Sequence, residues 1–314
     1  MKLKFWGVRG SIPAPLSAES IQRRISAVVA RLRPADLEST ESREAFLAGL
    51  PPHLFGTVGG NTTCLSIRSA AGSLFIIDAG SGIRELGASL ARSQERIRDY
   101  HILFTHFHYD HLQGLPFFAP AGYAAGNRLF FYSPRQGLRG ILEGQMRPPY
   151  FPVGMEAMRA EKHYVRLREP PLRLGGAEIA WREMKHPGGC VAYRISEGGR
   201  SLIFATDSEL STDDFRRSSE NAAFFQDADV LILDSQYTLG EAIEKYDWGH
   251  TSYSMAVDFA AEWGIRTLFL FHHEPSYHDR KIHSILNSAK WYQARLHARP
   301  LEVRLAVEGL EVDI

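Results

Sequence analysis

The sequence predicts a layered α/β domain in which helices pack outside sheets, and two observations lead to this class. Short apolar runs recur along the chain, each ending in or followed by Asp, Thr or His, which is typical of buried strands with polar ends: residues 74–78, 101–105, 202–206, 230–234 and 267–271. Helical patterns lie between some of these runs. Strands mixed with helices over the whole length favour one domain that spans residues 1–314.

The composition is that of a globular protein. The chain has 314 residues, of which 44% are hydrophobic and 23% are charged. Its 36 basic and 36 acidic residues balance, so there is no general attraction to polyanions, and a long nucleic acid is disfavoured as a partner. Two cysteines cannot form a disulfide scaffold. We find no signal-peptide pattern and no run of about 18 apolar residues, so we expect a cytoplasmic protein that does not enter a membrane.

Two segments between the predicted strands have clear helical patterns. One helix is predicted to begin after Thr251 or Ser252, to repeat large apolar residues at steps of four, and to stop at Gly264. Residues 17–50 are charged and helix-periodic and end at two prolines, which predicts a helical insertion in a loop. This insertion would either cap a site or serve surface packing or a dimer contact.

The strongest chemical signal is a cluster that directly follows the strand at 101–105. His106, His108, Asp110 and His111 lie within six residues at a strand-to-helix turn. His106 and His108 are alternate residues, so their side chains point the same way and can share one ion. The chain then turns, so Asp110 and His111 face a different point, where a second ion would bind. Histidine with carboxylate suits zinc, with manganese or iron as alternatives.

Further candidate ligands lie at strand ends elsewhere in the chain. His186 follows a strand and precedes a Pro-Gly-Gly turn, and Asp207 follows the strand at 202–206, where its carboxylate could bridge two ions. His272 is chosen over its neighbour His273 because it is the first histidine after its strand. The predicted partition is His106, His108 and His186 on one ion, Asp110, His111 and His272 on the other, and Asp207 between them.

This order of ligands resembles the metallo-β-lactamase-fold hydrolase superfamily. The resemblance extends to residues 5–13, 59–64, 78–82 and 114–118, which look like a bacterial branch close to the tRNase Z and cyclic-nucleotide phosphodiesterase groups. It implies a four-layer αββα sandwich with two metal ions at the strand ends. The insertion at 17–50 is longer than this resemblance leads us to expect.

The resemblance also implies roles for residues beside the metals. Residues 234–237 and 249–252 are similar to the tRNase Z pattern in which an acidic residue after a strand pairs with a histidine at the start of the next helix. It implies that His250 assists the leaving group, that Asp234 orients His250 and raises its pKa, and that Asp110 belongs to the same catalytic set. A hydroxide that bridges the metals would attack phosphorus in line.

Two more residues are expected to orient the ligand histidines through hydrogen bonds. Asp78 ends a strand before Ala-Gly and would accept a hydrogen bond from a ligand histidine. Asn61 would position the same network, with simple turn formation as the alternative.

The resemblance narrows the substrate. Lactam hydrolysis is disfavoured, because β-lactamases of this fold lack a carboxylate at the position of Asp207. We predict a dinuclear, zinc-dependent phosphodiesterase for a small phosphodiester or a cyclic nucleotide, because no counterpart of a basic tRNA-gripping arm is found. The alternatives are a lactone, ester or thioester hydrolase of the same fold, and a di-iron redox or sensing module. Relatives often dimerise, so a homodimer is a further expectation.

Overall fold

Two sheets lie face to face in the computed structural model, which describes residues 1–93, 95–296 and 299–314. The strands over these residues are β1 Lys2–Gly7, β2 Cys64–Arg68, β3 Leu74–Ile77, β4 Asp99–Leu103, β5 Arg128–Ser133, β6 Glu161–Arg166, β7 Leu172–Leu174, β8 Ala177–Met184, β9 Cys190–Glu197, β10 Arg200–Ala205, β11 Val230–Asp234, β12 Thr267–Phe271, β13 Glu302–Leu305 and β14 Glu311–Asp313. The first sheet has the order β14-β1-β2-β3-β4-β5-β6, and the second has the order β13-β12-β11-β10-β9-β8-β7.

Helices cover the outer face of each sheet. Over the described residues they are α1 Ala18–Val29, α2 Thr40–Ala48, α3 Pro52–Phe55, α4 Ile83–Arg92, α5 Tyr109–Leu112, α6 Leu138–Gln145, α7 Thr212–Phe215, α8 Ser219–Phe225, α9 Leu239–Glu244, α10 Tyr253–Glu262 and α11 Asp279–Gln293. Three short 3-10 helices occur at Pro34–Leu37, Leu115–Phe117 and Met155–Ala157. The longest helix in the described ranges, α11, has 15 residues, and none of these helices is long and apolar enough to cross a membrane.

Three apolar clusters define the layers. The central cluster lies between the sheets and joins Phe5 and Phe75 of the first sheet to Tyr193 and Phe204 of the second. A second cluster packs α10 and α11 on the second sheet, and a third packs α4 and α6 on the first. Burying each large side chain in these layers contributes about 1.5–3 kcal/mol. The predicted αββα sandwich is confirmed.

The strand predictions agree with the structure to within one or two residues. The runs at 230–234 and 267–271 are β11 and β12 over the same residues. Every residue of β3 and of β11 is buried, as expected for strands of a sheet that is covered on both faces. In the second sheet β10, β11 and β12 are parallel, so their carboxyl ends, with the polar residues that follow them, lie along one edge.

The helix predicted after residues 251–252 is α10. The side chain of Ser252 caps it by accepting a hydrogen bond from the backbone N–H of Met255 at 3.3 Å. After the helix ends, Gly264 adopts a left-handed conformation with φ of +66°, which a residue with a side chain would adopt only under strain.

Residues 17–50 contain α1, α2 and one 3-10 helix, in agreement with the helical character predicted for this segment. Neither α1 nor α2 has a buried residue. Instead α1 packs against α3, and Arg24 of α1 forms an ion pair with the fully buried carboxylate of Asp279 at the start of α11. The insertion is therefore attached to the side of the fold on which α11 lies.

Polar residues with unusual backbone angles follow three of the strands. Asp78 after β3, Asp207 after β10 and His272 after β12 have φ of +59°, +48° and +61°. Such angles are uncommon outside glycine and concentrate at functional sites, where the surroundings hold them in place. All three side chains are buried and lie at the same edge of the sandwich, and this edge carries the candidate site.

Candidate metal centre

The turn after β4 is tightly held against the loop that follows β3. The backbone N–H of Ala79 donates to the carbonyl of His111 at 2.8 Å, and the N–H of Gly114 donates to the carbonyl of Ala79 at 2.9 Å. At Gly80 a Cβ atom would lie 2.2 Å from the carbonyl oxygen of Asp110. Only glycine therefore permits this approach, which fixes where the side chains of the turn point.

Three histidines converge in what we call the outer group: His106, His108 and His186. The Nε2 atom of His106 lies 3.0 Å from Nδ1 of His108, and Nε2 of His186 lies 3.2 Å from the same Nδ1 atom. One nitrogen of each residue therefore lies within 4.8 Å of the other two. His106 is buried and the side chain of His186 is only 3% exposed, whereas His108 is exposed, so this group opens to solvent at His108.

Four further residues form what we call the inner group: Asp110, His111, Asp207 and His272. The Nε2 atom of His111 lies 3.2 Å from Oδ2 of Asp110 and 3.1 Å from Oδ2 of Asp207. The Nε2 atom of His272 lies 3.3 Å and 3.2 Å from the same two oxygens. All four residues are buried.

Asp207 faces both groups. Its Oδ2 atom belongs to the inner group, while its Oδ1 atom lies 3.8 Å from Nε2 of His106 and 3.8 Å from Nε2 of His186. The structure thus places this carboxylate between the two sets of donors.

The donor atoms point their lone pairs toward one another, an arrangement that a bound cation would stabilise. Four imidazoles have Nδ1 within hydrogen-bond distance of an outer acceptor, which directs the Nε2 lone pair inward: His106 to the hydroxyl oxygen of Thr105 at 3.1 Å, His111 to Asp78 at 2.8 Å, His186 to the carbonyl of Gly249 at 3.0 Å, and His272 to the side-chain oxygen of Gln236 at 2.9 Å. In the described part of the chain, Nε2 of His111 is buried and forms no well-aligned hydrogen bond, although carboxylate oxygens of Asp110 and Asp207 lie within 3.2 Å of it. Lone pairs that meet at about 3 Å repel unless a proton or a metal lies between them, so the residues fit divalent ions.

The pKa values of the metal-free protein differ between the two groups. Burial and the neighbouring imidazole of His111 hold the pKa of His106 well below its usual range. Burial would also lower the pKa of His111, but the charges of Asp110, Asp207 and Asp78 more than offset it and raise this pKa well above its usual value. The carboxylates around His111 thus favour its protonated form in the metal-free protein, and metal binding would displace that proton.

Beside both groups lies the pair formed by Asp234 and His250. The carboxylate of Asp234 is fully buried, and its Oδ2 accepts a hydrogen bond from Nδ1 of His250 at 2.7 Å. Burial lowers the pKa of His250, but the charge of Asp234 and this hydrogen bond outweigh burial and raise it to about 9. A ring nitrogen of His250 lies within 4.8 Å of ligand atoms of His186 and Asp207. The pair predicted from the sequence is therefore formed, at the edge of both donor groups.

His272 and its neighbour His273 make different contacts. Whereas His272 points into the inner group, Nε2 of His273 donates to the carbonyl of Ala306 at 2.9 Å. Burial lowers the pKa of His273 to about 3, so its imidazole is neutral at neutral pH.

The structure separates the two residues expected to support the ligands. Asp78 accepts the Nδ1–H of His111, as predicted, and also binds the backbone N–H of Thr105 at 2.8 Å. Asn61, by contrast, has side-chain hydrogen bonds to Ser81 at 3.0 Å and to Glu308 at 3.1 Å, and to no imidazole among the described residues. Its side chain therefore stabilises a loop, in line with the alternative reading of Asn61 as a turn residue.

Sequence reasoning missed three supports of the inner group. The amide of Gln236 accepts from His272 and donates to the carboxylate of Glu274 at 2.7 Å. The backbone N–H of Ser11 donates to Oδ2 of Asp110 at 2.8 Å. Preceding it, Gly10 packs on His272, where a Cβ would lie 2.4 Å from the ring. Gln236 lies two residues after Asp234 and could have been considered, but a backbone N–H has no signal in residue type.

The fold and the donor groups define a metal-dependent hydrolase with the metallo-β-lactamase architecture. A sequence model of the beta-lactamase superfamily domain matches residues 74–273, and the chain belongs to this superfamily. Ribonuclease Z from Synechococcus sp. (strain WH7803) is 25% identical over 272 residues, which cover 69% of this chain and 81% of that protein.

Two solved structures share the fold over nearly the whole chain. The metallo-beta-lactamase fold protein YhfI from Bacillus subtilis has a TM-score of 0.65 and 16% identity, and the match covers 99% of this chain and 98% of that one. A diphosphatase from the PhnP family has a TM-score of 0.64 and 17% identity, with 100% and 97% covered. At such identities these similarities concern the fold alone.

Proposed function

We propose that the protein is a dinuclear metal-dependent phosphodiesterase that acts on a small phosphodiester or a cyclic nucleotide. The observation that carries this proposal is the pairing of His250 with buried Asp234 beside both donor groups. An alkoxide that leaves a phosphodiester is strongly basic and requires a proton, which a positioned imidazolium can supply.

The metal ions of this proposal are zinc; the outer group would hold one and the inner group the other, and Asp207 would serve both. Histidine and carboxylate donors suit zinc. When bound, two such ions acidify a water molecule and stabilise the negative charge that develops on the phosphoryl oxygens.

The protein's own contribution at the leaving group is the orientation of His250. Oδ1 of Asp234 accepts the backbone N–H groups of Gln236 and Thr251, both at 3.1 Å, so the carboxylate is fixed on two sides. With Nδ1–H held by Asp234, Nε2 of His250 carries the proton for the leaving oxygen. A pKa of about 9 favours the protonated form at neutral pH.

The size of the substrate is part of the proposal. The neutral net charge favours a small substrate over a long nucleic acid. The relative named ribonuclease Z makes RNA the second candidate, so an RNA substrate belongs in any test.

The test is a substrate panel assayed with the zinc-loaded protein and with His250→Ala. The panel contains bis(p-nitrophenyl) phosphate, 2′,3′- and 3′,5′-cyclic nucleotides, a precursor tRNA, a lactone and a thioester. We expect hydrolysis of the small phosphodiesters, and a loss of about 10²–10⁴-fold in His250→Ala for the cyclic nucleotides, since their leaving oxygen needs an acid.

A matched control is His163→Ala, because His163 lies on β6 away from both donor groups. Its activity should equal that of the wild type. Turnover of the lactone or the thioester without turnover of any phosphodiester would contradict the proposal. Iron with visible absorbance in the purified protein would contradict zinc.

A further inference from the structure

Glu209 is a buried carboxylate that no step above uses. It lies two residues after Asp207 and is 8% exposed. Its Oε1 accepts from Nζ of Lys185 at 2.6 Å, and its Oε2 accepts from the backbone N–H of Gly249 at 3.0 Å. Its own backbone N–H donates to the carbonyl of Lys185 at 2.9 Å. Glu209 thus joins the residue before His186 to the residue before His250.

Gly249 is the point at which these contacts reach the site. Its carbonyl accepts the Nδ1–H of His186 at 3.0 Å. Its φ is +87°, and a Cβ at this position would lie 2.3 Å from Nδ1 of His186 and 2.4 Å from Cδ of Pro187. Only glycine fits here, and its position sets the orientation of the imidazole of His186.

The same loop supports the segment beyond Gly249. The side-chain hydroxyl of Thr251 donates to the carbonyl of Ser208 at 2.6 Å, and its oxygen accepts from the backbone N–H of Leu210 at 3.0 Å. Residues 208–210 therefore hold residues 249–251 at three points. Ser208 and Leu210 contact Thr251, whereas Glu209 contacts Gly249. Of these three residues, only Glu209 therefore supports the glycine that contacts His186.

We infer that Glu209 is a positioning residue that holds Gly249 so that His186 is oriented in the outer group and His250 is placed beside it. The inference rests on the proposed function only for the role of His250. For His186 it concerns the affinity of the outer group for metal, which can be measured without any substrate. It assigns to one carboxylate the alignment of a metal ligand and of the proton donor.

The test compares Glu209→Ala with Glu209→Gln. In Glu209→Ala the N–H of Gly249 loses its acceptor, and we expect zinc affinity to fall about 10–100-fold for one of the two ions, as is usual for supports of metal ligands. Glu209→Gln keeps an oxygen for Gly249 and should retain zinc affinity within about 3-fold. Chelator competition measures both affinities, and thermal melting of the metal-free variants verifies folding.

A control variant removes the other partner of Lys185. Asp247 is exposed, pairs with Lys185 at 2.6 Å and has a left-handed backbone, which asparagine tolerates. Asp247→Asn should bind both ions as the wild type does.

A kinetic measurement is also available if phosphodiesters are hydrolysed. Glu209→Ala should lose more activity on cyclic nucleotides than on bis(p-nitrophenyl) phosphate, because the leaving group of the latter needs little help from an acid.

Three results would overturn the inference. The first is wild-type affinity for both ions in Glu209→Ala, and the second is equal weakening of both ions. The third is failure of Glu209→Gln to restore the affinity lost in Glu209→Ala. If the whole panel of phosphodiesters is inert, the proposed function fails, yet the zinc affinities still decide whether Glu209 orients His186.

Discussion

The inner group and the outer group lie side by side and share Asp207, yet they are constructed differently. The inner group is buried and contains two carboxylates, whereas the outer group consists of histidines and includes the exposed His108. The inner imidazoles are held by side chains, Asp78 behind His111 and Gln236 behind His272. In the outer group the orientation of His186 depends on a backbone carbonyl, that of Gly249.

This difference predicts unequal metal sites. Two carboxylates in a buried setting attract a cation more strongly than neutral imidazoles do. Solvent access to His108 also gives a chelator or an incoming substrate a route to the outer ion. We therefore expect the inner ion to be the retained one and the outer ion to be the more easily exchanged one.

The largest effect should come from Asp207→Ala, because this carboxylate faces both groups. Loss of metal removes several kcal/mol of transition-state stabilisation, and each 1.36 kcal/mol is a factor of ten. We expect phosphodiesterase activity to fall by more than ~10³-fold and the zinc content of the purified protein to fall with it.

The activity and the zinc content of Asp207→Asn, which keeps an oxygen ligand, should lie between those of Asp207→Ala and those of the wild type. Zinc content is measured by mass spectrometry. Activity above a tenth of the wild-type rate in Asp207→Ala would show that the groups do not depend on a shared carboxylate.

Asp78→Ala should have an intermediate effect that is confined to the inner group. The Nδ1–H of His111 loses its acceptor, and removal of such a support weakens metal affinity by about 10–100-fold. In the wild type, stepwise chelation should remove the outer ion first, and in Asp78→Ala the two ions should leave together or in reverse order.

Asp214→Ala is the matched control, since Asp214 is also a buried aspartate but caps α7. It should leave the order of chelation unchanged. If the outer ion is still removed well before the inner one in Asp78→Ala, the support from Asp78 is not what distinguishes the groups.

The comparison also shows which parts of the site a sequence can predict. The seven predicted donors follow strands or lie in one turn, so apolar runs and their polar ends were the signals that predicted them. The supports differ, because Gln236, Glu274 and Glu209 gain their contacts only through the packing of distant loops. Ser11 and Gly249 act through backbone atoms, and residue type does not reveal such contacts.

Backbone conformation is the other part that pattern alone did not predict. Asp78, Asp207 and His272 are left-handed, a conformation that the apolar runs before them do not encode. For Asn61 the pattern suggested a link to the ligand network, but its side chain binds Ser81 and Glu308. A single sequence does not distinguish an Asn that forms a turn from an Asn that hydrogen-bonds to a metal ligand.

The smallest effect concerns the segment 235–249, which supports the inner group at Gln236 and the outer group at Gly249. Within it, Glu241 of α9 accepts from the hydroxyl and the N–H of Thr238 at 2.6 and 2.9 Å, from the hydroxyl of Tyr277, and from Nζ of Lys281 at 3.0 Å. Burial raises the pKa of Glu241, but the hydrogen bonds, from Thr238 first, outweigh burial and lower it to about 2.

Because this folded-state pKa lies below the unfolded value of about 4.3, the ionised carboxylate stabilises the fold above that pH, and the stabilisation is lost as the pH falls toward 2. After screening of a partly exposed group we expect about 1 kcal/mol. Urea unfolding of the metal-free protein between pH 2 and pH 6 measures it. Glu241→Gln should be less stable than the wild type near pH 6, and this difference should shrink below about pH 4.3 and be nearly lost near pH 2. Zinc affinities of both groups should be unchanged in Glu241→Gln, since Glu241 contacts neither Gln236 nor Gly249. If Glu241→Gln selectively lost the outer ion, the orientation of His186 would depend on the whole of segment 235–249 and not on Gly249 alone.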